Sequence, residues 1–255
     1  MRLFLVVAIL YSALGRVQSV SAETAAIGLF AEGNGFYRQG NYDSAREKYL
    51  AAIDTEVRDS RLFYNLGNAC FKSGRLGEAI VWYERARRLS PRDEDIAANL
   101  QFASYVRKDR VEGEEEVNPL WRLALAVYRL PTEDELAGLF SCSFFALFGL
   151  AAWRLGRSDR LQGKPWLACF VTSSLVAVAT VVLLIARLQD AGTDVAVVTV
   201  EEAVARSGPG LDQTVVFRIH EGTEMRLQRR ESEWLLIRLE NGLGGWMRAS
   251  DVTVI

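Results

Sequence analysis

The sequence predicts a multi-domain membrane protein: an all-α helical repeat, a two-helix transmembrane hairpin and a small all-β barrel. Three observations predict it. Residues 25–100 match themselves at a spacing of 34 residues, two stretches of 18 and 21 residues carry no charge, and short β-type runs crowd the last 62 residues. The 255 residues leave room for several small domains. Their charges nearly cancel, 30 Lys+Arg against 32 Asp+Glu, which removes the electrostatic footprint of a nucleic-acid binder. A lone histidine, His220, excludes His-based triads and His-rich zinc sites, and three cysteines make no complete disulfide framework.

Residues 1–22 read as a secretory signal. Arg2 supplies the positive start, Leu3–Leu14 is almost continuously apolar, and Val20-Ser21-Ala22 offers a cleavage site after Ala22. An uncleaved anchor is the alternative, since Arg16 interrupts the cleavage region, and either form exports the region after it.

Residues 23–110 form the repeat domain, with units at about 26–59 and 60–93 and a capping helix at 94–107. At the 34-residue offset, Gly33 falls on Gly67, Asn34 on Asn68, Gly40 on Gly74, Ala45 on Ala79, Tyr49 on Tyr83 and Ala52 on Ala86. Small residues at Gly33/Gly67 and Ala45/Ala79 allow two helices of a unit to approach closely, and Tyr49/Tyr83 fills the space between them. Gly40 and Gly74 stand where the first helix must stop. Pro91 closes the second unit, whereas the first has Val57 at that position. Ile96, Leu100 and Phe102 or Ala103 lie at helical spacing and predict a fifth helix over 95–106 that caps the array. Cys70 occupies an apolar helix position and reads as core.

The period and its small residues resemble the tetratricopeptide repeat, a helix–turn–helix unit. That resemblance implies a concave groove, lined by the first helix of each unit, that holds extended peptides. Asn34, Arg38, Arg61, Asn65, Asn68 and Lys72 are its groove-facing candidates here, with amides suited to a peptide backbone and cations suited to acidic partners. A subclass grips terminal carboxylates with lysines and asparagines. Asn34 and Asn65 match two of its positions, but Phe30, Asp95 and Asn99 replace its basic residues, so the resemblance does not extend to carboxylate gripping.

Residues 111–135 read as an acidic linker (Glu112, Glu114, Glu115, Glu116) followed by an amphipathic segment with Trp121 and Tyr128 at the membrane surface. Thr132 and Glu135 are spaced as a capping box ahead of the first span. The spans are 136–153 and 166–186, about 27 and 31 Å of helix at about 1.5 Å per residue, against about 30 Å of hydrocarbon. Cys142 and Cys169 sit inside them as small hydrophobes. The loop 154–165 carries Arg154, Arg157, Arg160 and Lys164 against Asp159, while Glu133, Asp134 and Glu135 flank the other end. The positive-inside rule therefore makes the loop cytoplasmic and both flanking regions external, periplasmic in a Gram-negative inner membrane.

Residues 194–255 hold five predicted strands: 194–200, 214–219, 223–229, 233–239 and 245–249. A loop at Ser207-Gly208-Pro209-Gly210, a turn at Glu221-Gly222 and a tight hairpin at Asn241-Gly242 separate them. Leu235, Ile237 and Leu239 alternate and give one apolar face. The runs VVTVEEAVARSGPG, HEGTEMRL and EWLLIRLENGLGGWMRASDV resemble the bacterial SH3 domain, which implies peptide or cell-wall binding, with Trp234 and Trp246 as its candidate ligand face.

The whole order, from signal through repeats, acidic linker and paired spans to the SH3-like barrel, is similar to the BatE family of bacterial aerotolerance-operon proteins. That family implies a membrane complex with Bat proteins that carry von Willebrand A domains, alongside a MoxR-type ATPase. No P-loop, HExxH or GxSxG appears, so the sequence predicts no enzyme, no metal and no cofactor. It predicts a membrane-anchored scaffold that binds protein partners through the groove and the SH3-like domain. The alternatives are a peptidoglycan-binding sensor and a periplasmic assembly chaperone.

Overall fold

The computed structural model describes residues 23–109, 128, 131–155, 164–191 and 195–255. The predicted signal (1–22), the acidic linker, most of the amphipathic segment and the centre of the loop between the spans (156–163) lie outside the described residues. The chain divides into two compact units. One combines the N-terminal helices with the C-terminal sheet, and the other holds the two long apolar helices.

In the first unit, helices α1 (23–38), α2 (Tyr42–Ile53), α3 (Ser60–Lys72), α4 (Leu76–Leu89) and α5 (Glu94–Val106) follow one another with short turns. The 34-residue repeat is visible in the packing. A Cβ on Gly33 would lie 2.5 Å from the Tyr49 ring, and one on Gly67 2.6 Å from the Tyr83 ring. Only a glycine lets each tyrosine fill the gap between the helices of its unit. Gly40 and Gly74 end α1 and α3 at φ 79° and 81°, the left-handed region that side chains disfavour. Ala45, Ala79, Ala52 and Ala86 are fully buried. Asp59 caps α3 by accepting from the Arg61 N–H at 2.7 Å, and Asp93 caps α5 by accepting from the N–H groups of Asp95 and Ile96. On α5, Ile96, Leu100 and Ala103 face inward, while Phe102 is 56% exposed. Cys70 is buried in this core, and burial pushes its thiol up to about 12.

The sheet has seven strands where the sequence predicts five: β1 (Val195–Val198), β2 (Glu202–Arg206), β3 (Val215–His220), β4 (Glu224–Glu231), β5 (Trp234–Arg238), β6 (Gly244–Arg248) and β7 (Val252–Val254). They run antiparallel in the order β3-β2-β6-β5-β4-β1-β7. β2 and β7 are the unpredicted strands. EAVAR has helix-type composition and VTV is too short to show a period, so both owe their conformation to their neighbours. Residues from all seven strands meet in one core, including Val198, Ala205, Ile219, Met225, Leu235, Ile237, Met247 and Val252. Strands at opposite ends of the order share that core, so the sheet bends over it, helped by register shifts at Ala205/Arg206 and Leu227/Arg229.

The sheet and the helices of this unit also share packing. Val197 joins the helical core, and Ile255 packs against it. Glu221, in the β3–β4 turn, accepts from the Gly77 N–H at 2.9 Å. Arg75, at the N-cap of α4, makes no side-chain cap, so the sheet caps that helix, with a carboxylate at the positive end of its dipole. A side chain on Gly77 would collide with the Val198 carbonyl and with Glu221. Asp109, just past α5, accepts from the His220 N–H at 2.6 Å and contacts the imidazole Nδ1 at 3.0 Å. Arg85 of α4 donates to the Val254 carbonyl at 3.2 Å.

The second unit is a pair of helices, α6 (Glu133–Leu155) and α7 (Lys164–Ala191). The predicted capping box is present: the Thr132 N–H donates to Glu135 Oε2 at 2.9 Å and the Glu135 N–H to Thr132 Oγ1 at 3.2 Å. The Trp166 indole donates to the Leu150 carbonyl at 3.2 Å and ties the two helices together. Residues 135–154 and 166–186 are long and apolar enough to cross a membrane. Many of their large side chains are exposed, Phe145 at 71% and Val178 at 62%, unlike the core helix of a soluble domain, while Leu136 is buried. Ser143 and Thr180 are buried, and each hydroxyl returns a hydrogen bond to its own helix.

Candidate functional site: an amide ladder on the repeat helices

The same three-atom arrangement occurs twice. In the first unit, the Tyr49 hydroxyl donates to Asn34 Oδ1 at 2.8 Å, and Asn65 Nδ2 donates to the same oxygen at 3.0 Å. In the second, the Tyr83 hydroxyl donates to Asn68 Oδ1 at 2.7 Å and Asn99 Nδ2 donates to it at 2.9 Å. The Tyr64 hydroxyl accepts a further bond from Asn99 Nδ2 at 2.9 Å. Each rung joins neighbouring first helices, α1 to α3 and α3 to α5, while the buried tyrosine reaches it from the second helix of the unit.

This geometry has a chemical consequence. The two Asn Oδ1 atoms are consumed internally, which fixes each amide plane and leaves Asn34 and Asn68 Nδ2 as donors for an incoming group. Burial pushes the Tyr49 phenol up to about 12 and raises that of Tyr83 as well, so both hydroxyls stay protonated donors. Asn34, Asn65, Asn68 and Asn99 are all half-buried, which limits competition from water.

Beside the second rung lies a cleft of about 340 Å³ lined by Tyr37, Tyr64, Asn68, Phe71, Lys72, Tyr83, Asn99 and Phe102. Tyr64 and Tyr83 stand 6.0 Å apart, and Phe71 and Phe102 5.6 Å apart. The cleft thus combines aromatic walls, fixed amide donors and one exposed cation, which suits an extended chain with side chains on alternate sides.

Of the sequence candidates, the structure brings Asn34 and Asn65 together on one rung and places Asn68 and Lys72 on the cleft. Arg38 is exposed on α1, one repeat before Lys72. Arg61 is bound to Asp59 at 2.9 Å and lines a different hollow, with Ile27, Phe30 and Val57. Tyr37, Tyr64, Phe71, Asn99 and Phe102 also line the cleft and are not among the sequence candidates for the groove. The repeat period marks some of them, because Asn99 is one period after Asn65 and Phe71 one after Tyr37. Trp234 and Trp246 are half-buried outside the sheet core. Trp234 pairs with Arg248 and Trp246 with Leu236, which sets both on the face opposite Leu235, Ile237 and Met247. Among the described residues, no group of His, Cys, Asp or Glu could hold a metal ion.

A helical-repeat interaction module is what this fold and groove define. Residues 30–94 match the family model of the tetratricopeptide repeat. Among solved structures, the chain is similar to the second tetratricopeptide region of Spaghetti (RPAP3) bound to the HSP90 peptide SRMEEVD, with 23% identity over 37% of this chain and 82% of that one, at a TM-score of 0.35. The first such region of the same protein, bound to the same peptide, gives 21% identity over 32% and 93% of the two chains, at 0.19. No curated protein matches the chain.

Proposed function

We propose that this chain is a membrane-anchored, non-enzymatic adaptor whose repeat groove captures an extended segment of a protein partner. The observation that carries the reading is the duplicated amide rung. A stability device needs no spare donors, whereas these donors recur at the repeat spacing and the second, Asn68, lines an aromatic cleft. The exposed apolar surface of α6 and α7 supports anchoring of the adaptor by a transmembrane hairpin.

The shared packing of helices and sheet supports a definite topology. Two regions in contact occupy one compartment, so the intervening chain crosses the membrane an even number of times. With two spans, the repeat region and the sheet lie on the same side. The cationic loop 154–165 favours the cytoplasm for the hairpin tip and the periplasm for the folded unit. The sheet is read as an SH3-like barrel whose Trp234/Trp246 face offers a second contact. The family resemblance of the whole order makes Bat proteins with von Willebrand A domains the partners of choice.

Crosslinking in intact membranes, followed by mass spectrometry, tests this. The reading expects crosslinks from the repeat groove to a membrane protein of that class, strongly reduced by Asn68→Ala with Lys72→Glu while the variant stays folded. Crosslinks that survive the double variant unchanged would refute the groove assignment.

A further inference from the structure

A second cleft of the same unit, of about 830 Å³, lies between the α2–α3 connection, α4 and the end of the sheet, and shares no lining residue with the amide-ladder cleft. Arg58 comes from the α2–α3 connection, and Arg85 and Arg88 lie one turn apart on α4. Glu56 is the only acidic side chain among its lining residues. Neighbouring arginines are neutralised: Arg87 pairs with Glu84 at 2.6 Å and Arg61 with Asp59 at 2.9 Å. Among the described residues, Arg58 and Arg88 have no such partner. Arg85 sits 4.6 Å from the centre of the Trp82 ring and is fixed to the Val254 carbonyl, so its charge is positioned before any ligand arrives. Burial, and then the cations of Arg88 and Arg58, lower the pKa of its guanidinium. The wall is apolar, with Phe63 and Trp82 rings 5.5 Å apart and Leu89 46% exposed at the rim.

We propose that this cleft is a second docking site, for an acidic partner segment in which carboxylates flank one apolar side chain. The carboxylates meet the planar guanidiniums and the apolar group covers Trp82 and Leu89. The positive excess selects an anion. Three cations on two chain segments suit several carboxylates better than one compact phosphate, which would also leave the apolar wall unused. The site goes beyond capture in the repeat groove and contact at the Trp234/Trp246 face, and would give the adaptor a further point of attachment on the same body.

Fluorescence anisotropy of a labelled, end-capped Gly-Glu-Glu-Leu-Glu-Glu-Gly peptide with the full chain in detergent micelles tests it. Saturable binding that weakens with salt is expected, with affinity reduced at least about tenfold by Arg58→Glu with Arg88→Glu. Both side chains are exposed, and the milder pair Arg58→Gln with Arg88→Gln should give a smaller loss in the same direction. Arg229→Glu, a reversal of similar charge on the sheet, should leave binding intact. Three results overturn the proposal: no saturable binding, binding insensitive to the Arg58/Arg88 pair but abolished by Lys72→Ala, or displacement by inorganic phosphate at an ionic strength where sodium chloride does not displace.

Discussion

The helices and the sheet of the folded unit reach a packed core by opposite routes. The helical region uses one device twice: a glycine opposite a tyrosine, with the tyrosine hydroxyl holding an asparagine on the far side. Each copy is built mainly within 34 residues. The sheet has no repeated device, and its core draws on every strand, so no hairpin of it is complete alone. Contact between them runs both ways: the sheet lends a helix cap through Glu221 and a core residue through Val197, while the helical region lends Asp109 to His220 and Arg85 to the Val254 carbonyl. A local, periodic architecture can expose a preordered polar face to a ligand because its core lies entirely behind that face. A non-local one must spend its inner face on itself, which makes it the better closing element.

The largest expected effect separates the two routes. Gly67→Val drives a branched side chain into the Tyr83 ring and should destabilise the unit by about 3 kcal/mol, while Gly33→Val in the outer repeat costs about 2 kcal/mol. Urea denaturation followed by circular dichroism of the full chain measures both, and equal, negligible losses would contradict the glycine–tyrosine packing. Next comes the junction. Gly77→Val obstructs the approach of Val198 and Glu221 and should cost about 2 kcal/mol, with the sheet and helices then unfolding in separate transitions. Persistence of one sharp transition would contradict the shared packing.

Tyr83→Phe removes the donor to Asn68 and should cost about 1 kcal/mol while loosening the second rung. Partner capture should fall more with Tyr83→Phe than with Tyr49→Phe, because the aromatic cleft adjoins Asn68. The smallest effect is a pH dependence of the junction. Burial first, then the nearby Glu84 carboxylate, raise the pKa of Glu224 above its ordinary 4.5. A carboxyl raised on folding contributes its stability below the unfolded value and loses it as pH rises through the folded one. Glu224→Gln should therefore raise the urea midpoint at pH 7.5 and leave it unchanged at pH 3.5, and the reverse pattern would contradict the burial of this charge.

The same contrast explains what the sequence makes legible. Gly33, Gly67, Ala45, Ala79, Tyr49 and Tyr83 can be found because identical geometry demands identical residues one period apart. The Gly40 and Gly74 helix ends and the Thr132/Glu135 box follow from local backbone chemistry. Three of the four ladder amides are visible, Asn34 and Asn68 through the period and Asn65 through the repeat resemblance, while Asn99 is legible as a ladder member only as the next step of the period after Asn65. β2 and β7 are not legible, since EAVAR and VTV become strands through partners elsewhere in the chain. Nor is the Asp109–His220 contact, whose members stand 111 residues apart with nothing local to mark them. His220, whose singularity excludes catalytic triads, serves instead to join helices to sheet.

The same-side arrangement of repeat region and sheet is tested most directly by alkaline phosphatase fused after residue 109, after residue 160 and after Ile255. The account predicts activity at the first and last positions and none at the middle one. Opposite results at 109 and 255 would divide the folded unit across the membrane and contradict it.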